Sequence, residues 1–128
     1  MASFEIEGVP AFRAALKRAG DRAPLAMAAA LVIEAEGAMR ESRELVPVDN
    51  SILKGSGVVL PPEITARGVT VDFGYGGEAS DYAVIQHERT DFRHTVGQAK
   101  FLEQPVLERA SGMGTRMAAT VRKFLERR

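Results

Sequence analysis

The chain has 128 residues, of which 45% are hydrophobic and 27% are charged, and these are ordinary values for one globular domain. Its 17 basic and 17 acidic side chains cancel, whereas a dedicated nucleic-acid-binding protein normally carries a basic excess. The absence of cysteine excludes disulfides, thiolate chemistry and metal sites with cysteine ligands.

The first residues of the chain do not have the pattern of a secretory signal, because residues 1–8 contain neither a basic region nor an apolar run. The apolar stretch at residues 23–35 is interrupted by Pro24 and Glu34 and is too short to cross a bilayer. We therefore expect a soluble intracellular protein that makes no contact with a membrane.

The N-terminal half predicts a short strand followed by two helices. Residues 4–7 alternate apolar and acidic side chains, as a half-buried strand does. A first helix is expected from Pro10 to about Ala19, and a longer one from Pro24 to about Glu44 with Asp21 as its N-cap. One apolar stripe of the long helix is expected to face the core, and the residues that form it are Leu25, Ala28, Val32, Ala35 and Met39. The charged residues Glu34, Arg40, Glu41 and Arg43 are expected to lie largely elsewhere.

The middle of the chain predicts an antiparallel sheet between two loops. Residues 47–57 are rich in turn formers and predict the first loop, and a short strand follows at residues 58–60. Residues 64–75 predict a hairpin that turns near residues 66–68, with Val69, Val71, Phe73 and Tyr75 on one face of its second strand. A further strand is expected at residues 82–87, and the polar residues 88–99 predict the second loop.

The C-terminal region predicts one continuous helix that starts near Pro105 and runs through Ser111–Gly114. Its apolar seam has the three-and-four spacing of a helix face and consists of Leu107, Ala110, Gly114, Met117, Val121 and Phe124. The predicted fold is therefore α+β, a single domain over residues 1–128 in which an antiparallel β-sheet is flanked by a long helix of the N-terminal half and a C-terminal helix.

No residue pattern indicates catalysis, and we expect neither enzymatic activity nor a cofactor. The glycines at residues 74–77 lack the lysine of a phosphate loop and favour a turn between strands. A metal site would have to bring His87, His94, Asp81 and Asp91 together, and loose spacing of this kind is weak support for a metal site. His87 is better explained as a hydrogen-bonded imidazole at the rim of the core.

Three short sequence segments, which follow one another in a fixed order, resemble segments of a known protein family. They are residues 46–56 (VPVDNSILKGS), residues 82–88 (YAVIQHE) and residues 100–105 (KFLEQP). Together they resemble the neck and tail-component family of long-tailed bacteriophages, which includes head–tail joining and tail-completion proteins. Two departures occur: Asn50-Ser51 stands where the family typically has Thr-Gly, and Lys100 stands where a proline is common.

The resemblance implies a structural virion protein without catalysis. Such a protein is assembled in the host cytoplasm and forms a homo-oligomeric ring, usually six-fold, at the junction (neck) between the DNA-filled capsid and the tail. Its partners would be head-closure or adaptor proteins on one side and tail-terminator or tail-tube proteins on the other. DNA would pass through the ring without sequence-specific binding.

A ring subunit needs surface segments that reach its neighbours, and the two polar loops are the candidates. The expected interface residues are Asp49, Asn50, Ser51, Leu53, Lys54, Arg89, Asp91, Phe92, Arg93 and His94. Two alternatives remain open. One is a nucleic-acid-binding module that uses the basic C-terminal helix from Arg116 onward, and the other is a small metal-dependent hydrolase built around His87 and His94.

Overall fold

The protein is α+β, as predicted: an antiparallel sheet is flanked by a long helix of the N-terminal half and by C-terminal helices. The computed structural model describes residues 2–4, 6–46, 54–76, 81–88, 94–96 and 100–126. The elements are β1 (Ala2–Phe4), α1 (Val9–Ala19), a 3-10 turn (Gly20–Arg22), α2 (Ala23–Leu45), β2 (Gly57–Val59), β3 (Glu63–Ile64), β4 (Gly68–Tyr75), β5 (Asp81–Glu88), β6 (His94–Val96), α3 (Lys100–Ala110) and α4 (Met113–Glu126).

The strands pair in the order β1-β6-β5-β4-β2, and β3 also pairs with β4, always antiparallel. Strands β2 and β3 lie along the same side of β4 and act as one edge with an interruption. Leu60 N donates to Asp72 O at 2.8 Å and Glu63 pairs with Thr70, so the two residues between them oppose a single residue of β4. Those two residues are Pro61 and Pro62, whose missing N–H groups make this edge a poor template for a further strand.

One face of the sheet forms the core with the helices. The predicted alternation in β4 is confirmed, since Val69, Val71, Phe73 and Tyr75 are all buried while Thr70 is only half-buried. The hairpin predicted at residues 64–75 is also confirmed, with its turn at residues 65–67. The largest fully buried side chains of the described residues include Tyr75, Phe12, Phe73, Leu31, Met39 and Ile85.

Helix α2 is covered on more than one side, which makes the predicted single stripe wrong in part. It packs against the sheet and also against α3 and α4, so its buried residues extend around the helix. Leu25 is 58% exposed although it was expected in the core, and Glu34 is 2% exposed although it was expected outside. Small residues make this double contact feasible, because alanines bring neighbouring backbones close. They include Ala26, Ala28, Ala30, Ala35 and Ala38.

The single C-terminal helix that the sequence predicted is in fact two helices. Helix α3 ends at Ala110 and α4 begins at Met113, and Gly112 between them has φ +77°, in the left-handed region that favours glycine. Helix α3 also begins five residues before Pro105. The break changes which side chains face inward: in α3 Val106 is buried, whereas Leu107 is 43% exposed instead of joining the seam.

Smaller differences also arise at chain segments that are too short to show a periodicity. The first strand lies at residues 2–4 rather than at residues 4–7, and β6 lies within the segment predicted to be a loop. The 3-10 turn replaces the expected Asp21 cap, so that Arg22 occupies the N-cap position of α2 without a side-chain capping bond. Three-residue strands depend on the strands with which they pair. Strand β1 pairs with β6, and β6 also pairs with β5.

The N-terminal segment explains the break between α3 and α4. Glu7 N donates to Ala110 O at 3.1 Å, and Gly114 N donates to Glu7 O at 2.8 Å. The backbone of one residue therefore satisfies a carbonyl at the end of α3 and an amide at the start of α4, groups that a helix terminus leaves without an intrahelical partner. A Cβ at position 114 would overlap the carbonyl group of Gly8 and would lie 2.6 Å from Glu7 O.

We predict that Gly114→Ala destabilises the protein by about 1–3 kcal/mol, the usual cost of forcing extra atoms into a packed region. The matched control is Gly55→Ala, because a Cβ there meets no atom of the described residues within 4 Å. Chemical denaturation followed by circular dichroism measures both variants. Equal stability of Gly114→Ala and the wild-type protein would contradict the close backbone crossing.

Candidate functional site

The described residues that flank the two predicted interface loops lie at opposite ends of the sheet. Strand β2 begins at Gly57, which pairs with Tyr75 at one end of β4, and β5 ends at Glu88, which pairs with Gly68 at the other end. Seven residue steps of a strand separate these ends by about 24 Å. The first loop therefore meets the sheet far from where the second loop leaves it.

Most of the predicted interface residues lie outside the described residues, and these are Asp49, Asn50, Ser51, Leu53, Arg89, Asp91, Phe92 and Arg93. Lys54 is half-buried and stands just before β2. His94 opens β6, where its backbone pairs with Phe4 and Ile85. The structure thus defines residues that flank both predicted loops. It does not bring Lys54 and His94 together, because β4 and β5 lie between β2 and β6.

The three signature segments occupy structurally distinct places. Residues 46–56 connect α2 to β2, residues 82–88 form most of β5, and residues 100–105 form the first turns of α3. Val46, at the start of the first segment, is buried, and Arg43 in the last turn of α2 donates to Gly57 O at 3.0 Å. These contacts attach both sides of the first loop to the body of the protein.

A partly buried ionic cluster, which sequence reasoning missed, joins α2 to both C-terminal helices. The carboxylate of Glu34 accepts from Arg116 Nη2 at 2.8 Å and from Arg109 Nε at 3.3 Å, and Arg109 Nη2 forms an ion pair with it at 3.2 Å. Arg116 Nε also lies 3.2 Å from the second carboxylate oxygen, so this arginine binds Glu34 through two donors. We call these three residues the Glu34 cluster. The sequence signal for it was the pair of arginines seven residues apart, two helical turns in a continuous helix.

Each arginine of the Glu34 cluster has a second partner. Arg109 Nη1 donates to Glu41 at 3.2 Å, and its guanidinium lies over Gly37, where a Cβ would come within 2.6 Å of it. Burial alone would lower the pKa of Arg109, but the carboxylates of Glu34 and Glu41 outweigh burial and raise that pKa above its ordinary value. Arg109 therefore stays charged, and Gly37 provides the space that its side chain needs.

Arg116 also holds the break between the C-terminal helices. Its Nη2 donates to Arg109 O at 2.5 Å and its Nη1 to Ser111 O at 3.2 Å, which are carbonyls at the end of α3. The side chain of Arg116, a residue of α4, thus binds both the Glu34 carboxylate of α2 and backbone carbonyls at the C-terminal end of α3. The guanidinium of Arg116 is therefore engaged in internal contacts, although its side chain is 41% exposed.

The environment of His87 agrees with the expected place at the rim of the core. Its Nδ1 lies 2.7 Å from Sδ of Met27, and its ring packs edge-on against Phe12 with 5.7 Å between the ring centroids. Burial, with a smaller contribution from the charge of Arg13, lowers the pKa of His87 from 6.5 to about 4. The described residues contain no group of three His, Cys, Asp or Glu side chains that could hold a metal ion.

We predict that Glu34→Ala lowers the free energy of unfolding by about 1–3 kcal/mol, since it removes charge-assisted hydrogen bonds to two arginines that are only partly buried and that each keep a second partner. Glu36→Ala on the exposed side of the same helix is the control and should change stability by no more than about 0.5 kcal/mol. Denaturant unfolding compares the two variants. Similar small losses for both would show that the Glu34 cluster does not hold the helices together.

The lowered pKa of His87 makes stability depend on pH in a defined direction. The folded protein binds this proton only near pH 4 and the unfolded chain already near pH 6.5, so stability is full above pH 6.5 and falls as the pH drops toward 4. We predict that His87→Gln reduces this fall in denaturation experiments, and that Arg13→Gln raises the pKa of His87 in an NMR titration. A titration midpoint for His87 near 6.5 would contradict its burial.

Comparison with protein-family models, with curated proteins and with solved structures found no match for this chain. Among the described residues, no helix is both long and apolar enough to cross a bilayer. The function is therefore inferred from the residues and geometry of the chain itself.

Proposed function

We propose that the protein is a structural component of a bacteriophage virion that forms a ring at the head–tail junction and helps to connect the DNA-filled capsid to the tail. The observation that carries this proposal is the fixed order of the three signatures at residues 46–56, 82–88 and 100–105. In this function the chain performs no catalysis and needs no cofactor. It acts through surfaces that bind copies of itself and adjacent virion proteins.

The placement of the two loops supports this function. Gly57, at the end of the first predicted loop, lies at the Tyr75 end of β4, and Glu88, at the start of the second predicted loop, lies at the Gly68 end. A subunit that connects a component above it to one below it needs binding segments at opposite ends of a rigid body. We assign the two ends to the two neighbours of a neck ring, a head-closure or adaptor protein and a tail-terminator or tail-tube protein.

The internal charges give the body the rigidity that such a subunit needs. The Glu34 cluster joins three helices, and the hydrogen bond of 2.7 Å between Ser42 and Tyr75 ties α2 to the sheet. These charged and polar groups make contacts that hold elements together. A body whose elements are held together in this way lowers the ordering cost of assembly.

Electron microscopy of particles that lack the protein tests the proposed function. We predict DNA-filled heads and separate tails, and joined virions after the wild-type protein is supplied in trans. The protein should also be detected in purified wild-type virions by mass spectrometry. Normal joined particles without the protein would overturn the proposal.

Charge reversal tests the predicted interface residues separately from the fold. We predict that Asp49→Lys and Arg93→Glu leave thermal stability unchanged but reduce the yield of joined virions, because interface charges fix register between partners. The control Glu36→Lys reverses an exposed charge in the middle of α2. If all three variants give wild-type yields, residues 49 and 93 are not at the interface.

The nucleic-acid-binding alternative loses one of its cations, because Arg116 belongs to the Glu34 cluster. On the described part of α4, Arg122 and Lys123 remain exposed. Titration with duplex DNA at several salt concentrations distinguishes the two functions, since phosphate contacts require affinity to fall steeply with salt. Under the proposed neck function we expect only weak binding that is independent of DNA sequence.

A further inference from the structure

An exposed apolar stripe runs along the N-terminal half of α2. Leu25 is 58% exposed and Ile33 is 49% exposed, while Ala29 between them and Val32 beside them are half-buried. Leu25, Ala29 and Ile33 follow one another at intervals of four residues, so they lie on one side of the helix. We call these four residues the α2 face. They form a continuous apolar surface, unlike the single exposed apolar residues that occur on any protein.

The internal contacts of α2 lie on its other sides. Glu34 binds the two arginines of the C-terminal helices, and Ser42 lies 2.7 Å from the hydroxyl of Tyr75 in the sheet. At 3.6 residues per turn, Glu34 and Ser42 each lie about 140° around the helix from Ala29. The α2 face therefore points away from the body of the protein.

Charged residues of opposite sign stand at the two ends of the α2 face. Arg22 precedes Leu25 by three positions, Glu36 follows Ile33 by three positions, and both charged residues are exposed. Arg22 is the N-cap residue of α2 with helical φ and ψ of −86° and −3°, so it continues the stripe. Its guanidinium carbon lies 4.9 Å from the centre of the Phe124 ring, and Nη2 donates to Phe124 O. These contacts fix a positive charge at this end.

The order of these residues is symmetric about Ala29. A large apolar residue stands four positions away on each side, and a charge stands seven positions away on each side with opposite sign. When two such helices lie antiparallel with Ala29 against Ala29, Leu25 of each copy meets Ile33 of the other. Arg22 of each copy then meets Glu36 of the other. We propose that two copies of this chain associate through the α2 face in this antiparallel arrangement.

Three physical effects favour the antiparallel arrangement. The small side chain of Ala29 lets the two helix axes approach to about 8 Å, so that the larger apolar side chains on either side meet. The pairs of Arg22 with Glu36 fix the register, although each exposed ion pair contributes only about 0–1 kcal/mol. Glu36 also comes to lie beside the positive N-terminus of the other α2. A parallel arrangement would instead oppose like charges at both ends.

The contact is small, because one helix face meets another, and we expect a dissociation constant of about 0.1 mM. Both copies use the same surface, so the contact closes after two copies and does not build a ring. The inference therefore goes beyond the proposed neck function and concerns the protein before it is assembled. At the lower concentrations of an unfolding experiment, single copies predominate.

A single cysteine tests the centre of the contact, since the chain has no cysteine of its own. Ala29→Cys places a thiol on the two-fold axis, where the Cβ atoms of the two copies come within the roughly 4 Å that a disulfide spans. Under mild oxidation, we expect this variant to form covalent dimers at least about tenfold faster than Leu107→Cys. Leu107 is 43% exposed on α3, so random collision would favour this control over the half-buried Ala29.

Cysteines at Leu25 and Ile33 test the register. Each of these positions lies about 12 Å along the helix axis from the same position of the other copy, because a helix rises about 1.5 Å per residue. Leu25→Cys alone and Ile33→Cys alone should therefore form covalent dimers slowly, whereas an equal mixture should form mixed pairs rapidly. Labelling one variant with nitrogen-15 identifies the mixed pairs by mass.

Analytical ultracentrifugation measures the same contact without a covalent bond. We expect Ile33→Asp to weaken self-association of the full chain at least about tenfold, since it places a charge in the apolar part of the contact. Leu107→Asp, the matched change at an exposed residue outside the α2 face, should leave self-association unchanged. Thermal denaturation checks that both variants are folded.

Three results would each overturn the proposed contact. They are a wild-type protein that remains monomeric up to about 1 mM, a rate of covalent dimer formation for Ala29→Cys no higher than that for Leu107→Cys, and a mixture of Leu25→Cys and Ile33→Cys that forms mixed pairs no faster than either variant links to itself. Particles that lack the protein test the neck function separately, so either proposal can fail without the other.

Discussion

The arrangement of the helices depends on one buried carboxylate. Glu34 lies on α2, the helix that packs against both the sheet and the C-terminal helices, and it binds Arg109 of α3 and Arg116 of α4. Replacing a buried ion pair by apolar residues is often neutral for stability, so such a pair is better understood as selecting one arrangement among several. Here the cluster selects the broken form of the C-terminal region, because Arg116 reaches the carboxylate and the end of α3 at the same time.

The backbone of Glu7 also contacts the junction between α3 and α4. It bridges Ala110 and Gly114, and Gly8 and Gly114 make room for the crossing. The N-terminal segment, α2 and the C-terminal helices are therefore mutually dependent, although they are far apart in the chain. A body held together in this way suits a protein whose work is to present surfaces in fixed relative positions, which is what a ring subunit requires.

Net neutrality conceals an uneven distribution of charge. The chain carries equal numbers of basic and acidic residues, yet Arg18 and Arg122 lie beside a groove between α1 and α4, whereas Glu103 and Glu108 lie together on α3. A neutral total removes the long-range repulsion that would oppose contact between copies. Neutral composition is thus compatible with local surfaces that carry charge of one sign.

The sequence by itself determined the α+β class, the long alanine-rich helix, the hairpin at residues 64–75 and the buried face of β4, because these depend on periodicities within a few residues. Only the tertiary structure decided the break at Gly112, the burial of Glu34 and the exposure of Leu107. Glu34 and its arginine partners are 75 and 82 positions apart in the chain, and Glu7 meets the break from the far N-terminal end. The apolar spacing is the same in a continuous helix and in a broken one, so it could not decide between them; Gly112 permits the break, and these distant contacts hold it.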